Sequence, residues 1–198
     1  MAEAPGTWHV SDPSMKVDWP VAVSAWAAAT EPVLESVAST YRSSITYERL
    51  GEQLFEQTGY RTRMLLGNWI GQVLGPVQTA TLAEGKPPLS SLVVRAETGG
   101  VGDGYVNHQN PRGFARFAER QQAAAVDRLT CYRVYCDHVP EDAEPQMTAL
   151  YVAKNTPKVN PVPPPPKICC ASQRRWSSSP NTRWPGPSSR PARALCPE

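Results

Sequence analysis

Residues 43–59 read Ser43-Ser44-Ile45-Thr46-Tyr47-Glu48-Arg49-Leu50-Gly51-Glu52-Gln53-Leu54-Phe55-Glu56-Gln57-Thr58-Gly59. Hydroxyl side chains suited to capping a helix come first. Tyr47, Leu50, Leu54 and Phe55 then recur at i, i+3, i+7 and i+8, the spacing of one helical face. Gly59 supplies the stop. A short linker, Tyr60-Arg61-Thr62, leads into a second periodic stretch from Arg63 to about Leu74, with Met64, Leu65, Trp69, Ile70, Val73 and Leu74 as its apolar side. Two helices joined by so short a linker make a helix-turn-helix the organising element and a mostly helical fold the expectation.

Outward from this pair the pattern stays helical on both sides. Asp18-Trp19-Pro20 starts a helix that runs from Val21 to about Tyr41, its apolar face marked by Trp26, Val33, Val37 and Tyr41; Pro20 lies where a missing N–H costs nothing, and Pro32 is a point of kinking or restart. Gly75-Pro76 is expected to break the third helix and begin a short fourth one ending at Gly85. Lys86-Pro87-Pro88 forces extended backbone, and Leu89-Ser90-Ser91-Leu92-Val93-Val94 has the β-branched enrichment of a strand. With Glu97-Thr98-Gly99-Gly100 as the turn and residues 101–106 as the returning strand, this stretch reads as a β-hairpin. A last helix follows from Phe114 to about Tyr135, with Phe114, Phe117, Val126, Leu129 and Val134 as packing candidates.

The flanks lack such a period. Residues 1–17 read as a flexible lead-in, 18–150 as the folded domain, and 151–198 as a Pro/Arg/Ser-rich disordered tail whose run Pro161-Val162-Pro163-Pro164-Pro165-Pro166 buries nothing. The tail holds eight of the 20 Lys and Arg and one acid, Glu198, a net of +7, whereas the first 150 residues carry 12 basic and 17 acidic side chains, a net of -5. Any affinity of the domain for phosphate must therefore come from a local patch. No apolar run approaches the ~20 residues of a membrane span, and the N-terminus lacks the basic start and apolar core of a secretory signal, so a cytoplasmic protein with no membrane association is expected.

The five cysteines, at 131, 136, 169, 170 and 196, form no disulfide framework. Cys131, Cys136 and His138 invite a metal reading, but a five-residue helical step turns the two thiols apart, and structural thiols are the alternative. No cofactor is called for. Asp103 and His108 offer an acid-base pair, or simply a hydrogen-bonded turn and a polar loop. Arg112, Arg116 and Arg120 recur every four residues, as on a solvated helix face.

Three stretches taken together carry a resemblance: Ile45-Thr46-Tyr47-Glu48-Arg49-Leu50; then Gly67-Asn68-Trp69-Ile70-Gly71-Gln72-Val73-Leu74; then Pro88-Leu89-Ser90-Ser91-Leu92-Val93-Val94 with Gly99-Gly100-Val101-Gly102-Asp103-Gly104-Tyr105. In order and spacing they resemble the DNA-binding domain of the alkylguanine-DNA alkyltransferase and alkyltransferase-like family, over residues 45–105, about a third of the chain. The resemblance implies a winged helix-turn-helix whose recognition helix enters the minor groove of double-stranded DNA. It also implies extrusion of an alkylated base toward an acceptor cysteine.

Tyr47 falls on the family's tyrosine position, while its other residue role is that of a core aromatic. Asn68 stands where the intercalating arginine would be, three residues before Gly71. The cysteine and histidine of the family's P-C-H-R fall on Ser90 and Ser91, and Leu92 replaces the arginine. A serine hydroxyl without a neighbouring base does not attack an alkyl carbon, so the resemblance implies binding without catalysis. It places Tyr47, Asn68, Trp69, Gln72 and Ser90 at a nucleic-acid face, with Arg61, Arg63, Lys86 and Arg95 available to phosphates. The alternative is a protein-interaction or regulatory role on the same scaffold, and an enzyme built on Ser90, Ser91, His108 and Asp103 ranks third.

Overall fold

A computed structural model of the chain describes residues 6–156, so the expected tail lies almost wholly outside the described residues. The fold is mostly helical with one small antiparallel sheet. In chain order the elements are β1 (Thr7–His9), β2 (Asp12–Lys16), α1 (Trp19–Ala38), β3 (Ile45–Thr46), α2 (Tyr47–Thr58), β4 (Tyr60–Thr62), α3 (Leu66–Ala83), a 3-10 turn (Leu89–Leu92), β5 (Val93–Val94), α4 (Phe117–Tyr135) and α5 (Ala149–Asn155). Among the described residues no helix is long and apolar enough to cross a membrane.

Helix α2 forms over the expected residues, while α3 begins at Leu66, not at the expected Arg63, and runs on to Ala83. Thr46 caps α2, its hydroxyl accepting the Arg49 N–H at 3.2 Å, and Gly59 ends it at φ 72° in the left-handed region. Both inner prolines stay inside uninterrupted helices, Pro32 in α1 and Pro76 in α3. Each proline and the residue four positions before it, Ala28 and Gln72, is exposed. The carbonyl that loses its helical donor therefore meets water, and the buried Val77 and Thr81 beyond Pro76 hold the helix on course. The expected break at Gly75-Pro76 does not occur.

The hairpin of the fold lies elsewhere than expected. Residues 7–16, read as a lead-in, form β1 and β2, paired antiparallel, and β1 pairs on its other edge with β4 (Thr7↔Thr62, Trp8↔Arg61, His9↔Tyr60). In the 89–106 stretch only Val93 and Val94 become strand, parallel to Ile45 and Thr46. Residues 99–106 return as a loop, because side chains of other elements take the backbone groups that a partner strand would have used. Gln121 accepts the Val101 N–H at 2.9 Å and donates to the Val101 carbonyl at 3.2 Å.

One core joins α1, α2, α3, the 3-10 turn and α4. Trp26 is fully buried, with ring centroids 4.6 Å from Trp69 and 5.5 Å from Phe55, and Leu34, Leu50, Leu54, Leu89 and Leu92 are buried beside it. Helix α4 presents a mixed face to this core, burying Arg120, Gln121, Asp127 and Arg128 with Ala124 and Leu129, while Phe117, Val126 and Val134 are left exposed. Met64 and Leu65, expected on the apolar side of the third helix, precede α3 and face solvent. Helix α5, capped by Thr148, runs across the expected domain boundary at residue 150.

Candidate nucleic-acid interface

Helix α3 turns three glycines toward one side. Gly67, Gly71 and Gly75 are spaced by four, and a Cβ at any of them would meet nothing within 4 Å. With Leu66, Ile70, Leu74 and Gln78 of the same helix they form one wall of a cleft of about 520 Å³ whose other walls carry Tyr47, Ser90, Arg95 and Asp103. The glycines let a flat ligand approach the helix backbone between these side chains.

Tyr47 opens α2 at the edge of this cleft. Its hydroxyl accepts the Gly102 N–H at 3.2 Å, and a Cβ at residue 102 would stand 2.6 Å from it, so glycine is required there by close approach. Burial pushes the phenol above its ordinary pKa. The Ser90 Oγ is buried and has no hydrogen-bond partner, and its residue lines the same cleft. A buried hydroxyl left unpaired beside a cleft is an uncommon feature in a folded chain.

At the mouth, Asp103 joins two arginines: Arg95 at 2.7 Å and Arg120 at 2.6 Å. The Arg95 guanidinium, followed by that of Arg120, holds the Asp103 carboxyl below the usual carboxylate range. The cluster carries a net positive charge next to the cleft. Glu48 and Glu97 also line the cleft, and with them the charged groups there sum to -1.

Of the residues singled out in the sequence, Tyr47, Ser90 and Arg95 are brought together. The others are not. Trp69 is 1% exposed in the core, stacked on Phe55 at 5.4 Å, and cannot touch a nucleic acid; its place on the buried side of α3 was already written in the apolar period. Gln72 accepts the Trp19 Nε1–H at 3.0 Å and turns toward α1. Lys86 is engaged by Glu84 at 2.8 Å and Glu31 at 2.9 Å, and these carboxylates raise its pKa. Arg61 lies over the Phe55 ring at 5.4 Å and Arg63 over Trp8 at 5.9 Å. Asn68 is exposed in the first turn of α3.

The four groups of the enzyme reading make no nucleophile–base–acid chain. The Ser91 side chain is fully buried, its Oγ 3.7 Å from the Cys131 sulfur. His108 meets the Lys86 carbonyl at 3.2 Å, and Asp103 is occupied by arginines. Burial pushes the Cys131 thiol up to about 12, so it stays protonated and unreactive. Cys136 donates to the His138 carbonyl at 3.5 Å, and among the described residues no group of three or more His, Cys, Asp and Glu side chains could hold a metal ion. The expected arginine stripe does not share one helix: Arg112 and Arg116 precede α4 and are exposed, whereas Arg120 lies in α4 and is buried.

Sequence reading missed Gln78, Gly102 and Arg120 as parts of this site. The glycine spacing at 67, 71 and 75 was a visible signal; the inward turn of Arg120 was not. No family model, curated protein or solved structure matches this chain.

Proposed function

We propose that the chain binds double-stranded DNA without alkyl transfer, presenting α3 to the groove and receiving a base in the cleft beside it. The observation that carries this reading is the convergence of Tyr47, Ser90 and Arg95 on the glycine wall of α3. The cleft offers a helical wall of glycines and apolar side chains, with the Ser90 hydroxyl and the Tyr47 phenol across from it, a surface suited to a flat, polar-edged ligand. Ser90 acts as a hydrogen-bonding group there. No base adjoins it, since Ser91 faces the core, so its hydroxyl is not activated for attack on carbon.

The test is a titration of the full chain against fluorescent duplex DNA at two salt concentrations, with Ser90→Ala, Arg95→Ala and Arg63→Ala in parallel. Binding through phosphates should weaken steeply with salt. Arg63→Ala should flatten that slope by about one unit, and Ser90→Ala should weaken binding with the slope unchanged. Absence of binding at low salt would sink the proposal.

A second reading has an observation of its own. Glu48, Glu52 and Glu56 stand exposed at every fourth residue of α2, and Glu48 reaches the cleft. An acidic face beside the cleft suits a basic protein partner better than phosphate. Loss of DNA binding at every salt concentration would favour this reading.

A further inference from the structure

Helix α4 buries two arginines, and their charges are met differently. Arg120 has the Asp103 carboxylate at 2.6 Å. Arg128, only 3% exposed, pairs with no carboxylate among the described residues. Its guanidinium donates to two backbone carbonyls, Ser91 at 3.0 Å and Gln146 at 3.4 Å, which uses two of its five N–H donors. The Asp127 carboxylate, next in the chain, is taken by Tyr105 and Asn107. The other titratable groups that act on Arg128 are neutral. Burial pushes the Tyr132 phenol and the Cys131 thiol each up to about 12, and the Tyr105 phenol well above its ordinary range. A buried charge is ordinarily paired. Carbonyl dipoles hold this one, and no described side chain supplies its counter-charge.

Arg128 stands in the wall of a cavity of about 400 Å³ between α4, α5 and the segment that follows α1. Leu129, Tyr132, Met147 and Val152 give the cavity an apolar lining, and the Tyr41 and Tyr132 rings meet edge to face at 5.6 Å. Arg42 brings a second guanidinium to it. This side chain is exposed, bonds the Gln146 side chain and lies 5.5 Å from the centre of the Tyr41 ring. Its φ of 65° is the one positive value at a described residue other than glycine, a strain of the sort that clusters at ligand clamps. Glu144 also lines the cavity, exposed and paired with neither arginine. Two guanidiniums and one carboxylate leave the lining a net charge of +1.

We propose that this cavity binds a small organic monoanion, a carboxylate on a compact apolar or aromatic body, with Arg128 as the partner of the carboxylate. The remaining N–H donors of Arg128 form charge-assisted hydrogen bonds to its oxygens. The rings of Tyr41 and Tyr132 and the side chains of Leu129 and Val152 enclose its body. A free phosphate would meet the guanidinium and leave this apolar lining uncovered. The cavity shares no lining residue with the cleft beside α3, so the proposal stands whether or not the chain binds DNA.

The experiment titrates phenylacetate into the full chain by calorimetry at low salt, with phenylacetamide as a neutral isostere and inorganic phosphate as a bare anion. Amide shifts locate the site. Phenylacetate should saturate a single site, shift residues 125–132 and 146–153, and bind at least about tenfold tighter than phenylacetamide. Among variants at exposed positions, Arg42→Gln should weaken binding and Glu144→Gln should tighten it, each about two- to threefold. Arg128→Gln, checked for folding by circular dichroism, should abolish it; should that variant not fold, the two exposed variants carry the test. Absence of saturable binding, equal affinity for the amide, or shifts confined to another surface would overturn the proposal. So would unchanged affinity in both Arg42→Gln and Glu144→Gln. Phosphate binding as tightly as phenylacetate would overturn the assignment to an organic carboxylate.

Discussion

Around Trp26 the chain packs ring against ring, whereas around Asp127 it packs polar atom against polar atom. The first region joins Trp19, Trp26, Phe55 and Trp69 from α1, α2 and α3. The second ties the loop after β5 to α4: Asp127 accepts from the Tyr105 hydroxyl and from Asn107 Nδ2 at 2.8 Å, and Gln121 pairs with the Val101 backbone. Arg128 donates to the Ser91 carbonyl at 3.0 Å. Apolar packing is non-directional and sets how strongly the helices cohere. Hydrogen bonds are directional and set where a loop stands. The cleft has one wall of each kind, and that is how an apolar, glycine-lined helix surface and a placed hydroxyl come to face each other.

The largest expected effect comes from removing the centre of the apolar region. Trp26→Ala should cost about 4 kcal/mol, the usual range for emptying a large aromatic from a packed core, read from the urea midpoint. Asp127→Ala should cost less in total, about 3 kcal/mol, because it strands the Tyr105 hydroxyl and the Asn107 amide without an acceptor. Its distribution should differ more than its size. Amide exchange should accelerate across residues 101–107 and leave α1 and α2 as slow as before. Equal acceleration everywhere would mean that the two regions are one cooperative unit.

The same contrast governs what could be read from the sequence. Helices α1, α2 and α3 announce themselves because apolar packing leaves a period, and the period is enough to place Trp26, Leu50, Leu54 and Val73 inside. Polar anchoring leaves none. Gln121, Asp127 and Arg128 look like the solvated side of α4 until the loop that they hold is seen against them, and so Val126 and Val134 were expected inside in their place. The Val93-Val94 pair has strand chemistry in either setting, but its partner is Ile45-Thr46, nearly fifty residues earlier, and local pattern does not carry that distance. The lead-in became a hairpin for a related reason: β1 finds its second partner in β4, beyond α1 and α2. Of the site, Tyr47, Ser90 and Arg95 were legible through the resemblance, and Trp69 was misplaced because motif position was weighed above its place in the apolar period.

The smallest expected effect on stability lies where the two regions meet solvent, at Asp103. Its side chain is 69% exposed, so its ion pairs are screened, and Asp103→Asn should cost no more than about 1 kcal/mol. Asparagine keeps an oxygen for Arg120, whose buried guanidinium would otherwise lose its acceptor. The sign with pH follows from the lowered carboxyl: folding favours the ionised form, so the contribution is present above the unfolded pKa and is lost as pH falls through the folded one. Wild type and Asp103→Asn should therefore converge in stability in acid and separate at neutral pH. On DNA the substitution should act in the other direction, since it removes a negative charge that occupies Arg95 beside the cleft, and duplex affinity at low salt should rise about two- to threefold. A fall in affinity would show instead that Asp103 positions the two arginines, and that even at its exposed edge the polar region works by direction more than by charge.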